Sequence, residues 1–139
     1  MKKLIPSLFI LIFFLNSCKK EELISQKTDE NFEDFVEKFS TDSLFQISRV
    51  NFPLSIVELD NDFNPKSKKI YKADYRLMDL RYHDSLAKRE YDKYSQKIKI
   101  DGNKRTVEMR GIDNGIIFDI HFEKQNGKWI LIGWNDSST

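Results

Sequence analysis

The sequence predicts an α+β fold, a curved antiparallel β-sheet meander wrapped on N-terminal helices. Three observations predict it. Phenylalanines recur at helical spacing between Phe32 and Phe39; turn pairs separate alternating strands from Ser95 onward; and the strand registers that those turns impose agree with one another.

Phe32, Phe35, Val36 and Phe39 fall at i, i+3, i+4 and i+7, one apolar stripe of an amphipathic helix. Thr28 is the expected N-cap, and Asp29 and Glu30 suit the positive end of the helix dipole. Ser40 or Thr41 is placed to cap a second, short helix whose apolar members are Leu44, Phe45 and Ile47. Pro53 disfavours helix at Phe52, so Phe52–Leu59 turns extended. Asp60–Pro65 is a turn cluster, and Lys66–Lys72 is expected to return as a strand. Asp74 would cap a short helix holding Leu77, Met78 and Leu80. The charges and tyrosines of Ser85–Tyr94 fit either a helix or a strand.

Gly102-Asn103, Asn114-Gly115 and Asn126-Gly127 punctuate the rest, and Asn-Gly is the preferred pair for type I′ hairpins. A two-residue loop fixes register. The last turn sets Phe122 opposite Leu131 and His121 opposite Ile132. The middle one sets Val107 opposite Phe122, Met109 opposite Ile120, Glu108 opposite His121 and Arg110 opposite Asp119. The first sets Ile98 opposite Val107. One face then collects Ile98, Ile100, Val107, Met109, Phe118, Ile120, Phe122 and Leu131. The other collects Thr106, Glu108, Arg110, Asp119, His121 and Glu123. A one-residue slip would send every apolar side chain to the wrong side. A sheet apolar on one side must be covered, and the Phe-rich helix is the cover.

The chain has 139 residues, enough for one domain. Its formal charge is +1; removing residues 1–17 takes away Lys2 and Lys3 and no acid, leaving −1. That balance lacks the basic stripe of a nucleic-acid binder. Apolar residues make up only 40%, yet eleven Phe and two Trp can close a modest core. Lys2 and Lys3 precede the largely apolar stretch Leu4–Leu15, too short to span a bilayer and suited to a signal peptide. Leu15-Asn16-Ser17-Cys18 follows at once and resembles the lipobox of bacterial lipoproteins, although Asn16 departs from the usual small or hydroxyl residue.

That resemblance implies cleavage after Ser17 and lipidation of Cys18, the single cysteine, and so a membrane partner through the lipid. Residues 18–28 are then lipidated cysteine and tether, and residues 29–139 one domain. Residues 19–28 reach about 30 Å if extended. Lys19 is not the aspartate that marks inner-membrane retention in enteric bacteria, so an outer-membrane location is expected, at the periplasmic face or the cell surface. Lys20-Glu21-Glu22 is similar to the export signal of surface lipoproteins of the Bacteroidetes type; a plain charged tether is the other reading.

The element order resembles the nuclear transport factor 2-like (cystatin-like) fold, a cone of curved sheet around helices. More narrowly, Phe32-x-x-Phe35-x-x-x-Phe39, Asp42, Phe45-Gln46-x-x-Arg49-Val50-x-Phe52-Pro53-Leu54 and Asn126-Gly127-Lys128-Trp129 are similar to domain-of-unknown-function family 4348, lipoproteins largely of Bacteroidetes-type bacteria. The resemblance implies no catalytic residue, and a fold alone does not give a function.

His83-Asp84-Ser85 holds the residue types of a hydrolase triad, but sequence neighbours do not converge on one point; a solvated turn is expected. His121, flanked by Asp119 and Glu123, has the makings of an acid–base pair, and an exposed cross-strand neighbour of Glu108 is the plainer reading. Asp60, Asp62 and Asn64 begin like a calcium loop, but Pro65 and Tyr71 stand where Gly and Glu are needed. Lys66-Ser67-Lys68-Lys69 reads as a solvated edge able to touch anionic headgroups. Gln46 and Arg49 are expected to tie helix to sheet or to line a pocket, and Tyr91 and Tyr94 to line a pocket mouth or pack at the rim. No metal, cofactor or catalytic residue is assigned. Two classes remain: a non-catalytic module binding a small molecule or protein, or an enzyme with an acid–base pair inside the cone. A cone filled by Phe favours the first, an open polar one the second.

Overall fold

The computed structural model describes residues 29–83, 85 and 88–139. The leader, Cys18, its tether, Thr28 and Asp84 lie outside the described residues. Among the described residues no helix is long and apolar enough to cross a membrane.

Two helices, α1 (Phe32–Thr41) and α2 (Ser43–Ser48), precede six strands: β1 (Val50–Leu59), β2 (Pro65–Ile70), β3 (Tyr94–Asp101), β4 (Lys104–Gly111), β5 (Ile117–Gln125) and β6 (Lys128–Asp136). They form one curved, unclosed sheet in the order β2-β1-β6-β5-β4-β3. All neighbours are antiparallel except β1 and β6, which run parallel. The N-terminal hairpin thus docks on the last strand, a join that the meander pattern did not foretell. Phe32, Phe35 and Phe39 are buried as the periodicity requires.

Both helix caps differ from expectation. Asn31, not Thr28, caps α1 by accepting from the Asp34 amide at 3.0 Å. Asp42, not Ser40 or Thr41, caps α2 by accepting from the Phe45 amide at 2.9 Å. Ser40 is otherwise engaged, its Oγ accepting from the Leu80 amide. Leu44 points to solvent at 80% exposure, because a helix of only six residues buries a single narrow edge. Between them the caps make a sharp corner that brings Gln46 back onto α1, where its Nε2 donates to the Phe39 carbonyl.

The short helix expected after Asp74 is absent. The segment from Leu77 to His83 runs without regular structure, and side chains take up its backbone groups. Gln46 Oε1 accepts from the Met78 amide at 2.8 Å and Gln46 Nε2 donates to the Met78 carbonyl at 2.8 Å. Gln96 Nε2 donates to the Leu80 carbonyl at 2.9 Å. With those polar groups satisfied, the segment seats Leu80 in the core without a helix.

The hairpins divide three ways. At Gly102-Asn103 the expected register holds, Ile98 opposite Val107. At Asn126-Gly127, with φ of 51° and 80°, Phe122 faces Leu131 as expected, but a bulge follows and His121 pairs with Gly133 instead of Ile132. The middle hairpin is off by two: Val107 faces Ile120, Met109 faces Phe118, Thr106 faces His121 and Glu108 faces Asp119. The Gly111 amide donates to the Ile116 carbonyl at 2.7 Å, closing a loop wider than two residues. An even shift keeps each side chain on its expected face. Ile98 and Ile100 stay on the inner face but are exposed, since edge strand β3 extends past the helical cover.

Candidate functional site

The inner face of the sheet is filled. Phe32, Phe35, Phe39, Phe45, Phe122 and Trp129 pack ring on ring with centroids 5.0 to 6.0 Å apart. Leu54, Ile56, Val107, Ile120 and Leu131 close the floor beneath them. Among the described residues the one buried polar side chain is Gln46. It has four partners: donated bonds to the Phe39 and Met78 carbonyls, and accepted bonds from the Met78 amide and the Tyr75 hydroxyl. All its bonding capacity is spent inside the fold, so it offers nothing to a ligand. Burial pushes the Tyr75 hydroxyl pKa well up, keeping that donor protonated.

Arg49 sits at the other end of α2, forked on Glu30 at 2.9 and 3.0 Å and reaching the Trp129 carbonyl at 3.3 Å. Glu30 in turn accepts from the Trp129 amide at 2.7 Å, and its carbonyl accepts from the indole Nε1 at 3.0 Å. Expected to serve the α1 dipole, Glu30 instead precedes the helix and joins Arg49 to β6. Arg105 and Lys124 flank the Trp129 ring at 4.9 and 4.7 Å. The shallow depression there, about 340 Å³, is bordered by the exposed Ile98 and Ile100.

The tyrosines do not meet in a pocket. Tyr91 is 75% exposed. Tyr94 is partly buried against Tyr82, 6.0 Å away, and burial raises its hydroxyl pKa. His83 and Ser85 are both exposed. The Asp60 carboxylate accepts from the Asp62 and Asn64 amides at 2.9 Å, a turn rather than a cation loop. Among the described residues no group of three or more His, Cys, Asp or Glu side chains stands together to hold a metal. Asp79, bonded to Arg81, has its pKa drawn down to about 2 at an exposed surface position.

The open site lies on the outer face. Register stacks two cross-strand rows there: Lys69, Ser55, Gly133 and His121, then Ser67, Val57, Asn135 and Asp119. Between them runs a groove of about 480 Å³, bordered also by Ile132 and Trp134. Gly133 forms its floor. A Cβ built there would run into the Ser55 carbonyl oxygen, so the β6 bulge brings β1 and β6 closer than a side chain allows. The bulge also leaves Ile132 facing the groove.

His121 is half-buried in this wall rather than exposed, a correction to the plainer expectation. Its Nδ1 lies 3.2 Å from the Thr106 hydroxyl. Burial lowers its pKa while Asp119 pulls the other way, and the net shift favours the neutral ring. Asp119 stands opposite Glu108, a repulsive pairing, and turns diagonally to Arg110 at 2.6 Å. Sequence reasoning missed Ser55, Gly133 and Asn135, and it reads Lys69 only as part of a solvated basic edge able to touch anionic headgroups. The signal available was Gly133 itself, a lone glycine between Ile132 and Trp134 in a strand pattern, which marks a bulge or a close backbone approach.

A protein-family model matches residues 30–138. Among solved structures the chain is similar to an NTF2-like protein from Bacteroides fragilis, with a TM-score of 0.57 and 22% identity, covering 80% of this chain and 48% of that one. It is also similar to a protein from Bacteroides uniformis, with a TM-score of 0.56 and 23% identity over 76% of each chain. A protein from Bacteroides ovatus follows, with a TM-score of 0.50 and 27% identity over 75% of this chain and 72% of that one. The chain spans about half the length of the first of these. No curated protein matches.

Proposed function

We propose, from the premise that the chain belongs to the family whose model spans residues 30–138 and has the NTF2-like fold, that it is a lipid-anchored, non-catalytic binding module. Cys18 carries the lipid, the outer membrane is its address, and its narrower kin are the lipoproteins of domain-of-unknown-function family 4348. The ligand is a small molecule or a protein segment, taken in the groove over Gly133.

One observation carries the binding half of this reading. The cone that would hold a reaction centre is occupied by Phe35, Phe39 and Phe122, all buried, while a groove of about 480 Å³ stays open on the opposite face. That size falls in the range of small-molecule sites, roughly 300–1,000 Å³. The alternative, an enzyme with an acid–base pair in the cone, would need titratable side chains where phenyl rings stand. The anchor rests on the lipobox-like Leu15-Asn16-Ser17-Cys18 at the end of an apolar stretch.

Palmitate labelling with detergent partitioning tests the anchor: Cys18→Ser should lose the label and leave the detergent phase. A variant that still partitions with detergent would remove the anchor from the account. Replacing Lys20, Glu21 and Glu22 together with Ala should protect the domain from protease added to intact cells. Unchanged cleavage would reduce those three residues to tether. For the groove, Ile132→Trp should fill the space and abolish thermal stabilisation by any small molecule that stabilises the parent chain.

A further inference from the structure

The charges around the outer groove do not cancel. Lys68 turns to Glu58, and Asp119 is held by Arg110. Burial lowers the His121 pKa and so favours the uncharged ring, a hydrogen-bonding group in the wall. Lys69 is left with the Ser55 hydroxyl as its one partner among the described residues. One end of the groove therefore carries a single uncompensated ammonium beside a hydroxyl. The rest of the lining is the bare backbone at Gly133 between Val57 and Ile132, with Trp134 at the border and the neutral polar side chains of Ser67 and Asn135 beside it. A polyanion such as a phosphate ester would call for a forked guanidinium, but no arginine is among the residues that line the groove, and Arg110 on β4 is already bonded to Asp119.

We propose that the groove binds a small organic monoanion with an apolar body, an aliphatic or aryl carboxylate. Its carboxylate sits on Lys69 and Ser55, and its body crosses Gly133 between Val57 and Ile132. The proposal rests on the reading of the outer face as the binding face. It adds the chemistry of the occupant.

Three probes that share one body separate the two claims: phenylbutyrate, phenylbutanol and phenylbutylamine. Calorimetric titration of the full chain in lipid nanodiscs, with empty nanodiscs as blank, measures each. Phenylbutyrate should bind about tenfold or more tightly than the other two, the size of one charge-assisted hydrogen bond. Lys69→Gln should erase that preference and leave phenylbutanol unchanged, while Lys69→Arg keeps it. Equal affinity for the three heads, or a preference that survives Lys69→Gln, would overturn the carboxylate assignment and leave the groove as a neutral apolar site. No binding of any probe would overturn the groove as well. An unchanged thermal midpoint in Lys69→Gln certifies that the fold is intact, as expected for a side chain on the outer surface.

Discussion

Ile120 and His121 are neighbours on one strand and face different environments. Ile120 points inward with Phe122, fully shielded by the rings of α1, whereas His121 points outward into a groove that solvent enters. The inner face is closed by size: large aromatics fill it, and Gln46, the one buried polar residue among the described residues, is fully bonded. The outer face is opened by an omission, the missing side chain at Gly133. The contrast teaches that alternation along a strand assigns the packed core to one face and leaves the other free to border a groove. A bulge in the neighbouring strand β6 then decides where the outer face is hollow.

Changes on the inner face should cost most. Phe35→Ala removes a ring packed against Phe32, Phe39, Phe45 and Phe122, and urea unfolding should show a loss of about 3–5 kcal/mol. A loss near 1 kcal/mol would mean that the cone is looser than its ring contacts imply. Gln46→Ala should follow at about 2–4 kcal/mol, since the Met78 amide and carbonyl and the Phe39 carbonyl lose their partner together. Amide hydrogen exchange at Met78 should rise in the same variant. Protection that persists would show the segment held by something other than Gln46.

On the outer face the costs shrink. Ile132→Ser should cost about 1 kcal/mol or less in the same assay, because the side chain is only half-buried. The smallest effect is that of pH on His121. Burial depresses its pKa in the fold, so the unfolded chain binds the proton more readily. The corresponding stability is present above the unfolded value, about 6.5, and is lost as pH falls through the folded one. Stability measured from about pH 7 to about pH 5 should therefore fall more steeply in the parent chain than in His121→Asn. Identical slopes would place the ring in solvent.

How much was legible in the sequence follows from which interactions are local. The α1 stripe and the Asn126-Gly127 turn depend on residues adjacent in the chain, and both stand as read. The middle register failed because Asn114 serves a distant partner: its side-chain amide donates to the Lys93 carbonyl at 2.8 Å, and Asp113 pairs with Lys93 at 2.8 Å. Those ties widen the loop, which a two-residue Asn-Gly rule cannot register. The helix expected after Asp74 failed for a related reason, since Gln46 lies 32 positions from Met78. The groove needed β1 beside β6, a parallel pairing that no hairpin signal announces. Gln46 and Arg49 were recognisable as residues with a task, yet Glu30, the partner that fixes Arg49, was assigned to the helix dipole instead.

The assignment of faces is tested most directly by two neighbouring substitutions read in one urea-unfolding assay. Phe122→Ala should cost about 3–5 kcal/mol through lost burial and a cavity among the rings. His121→Ala should cost about 1 kcal/mol or less, one hydrogen bond to Thr106 and a half-buried ring. The reverse order, a large loss at His121 with a small one at Phe122, would contradict the account. It would turn His121 and Asp119 into the cone and make an acid–base centre there the better explanation of this fold.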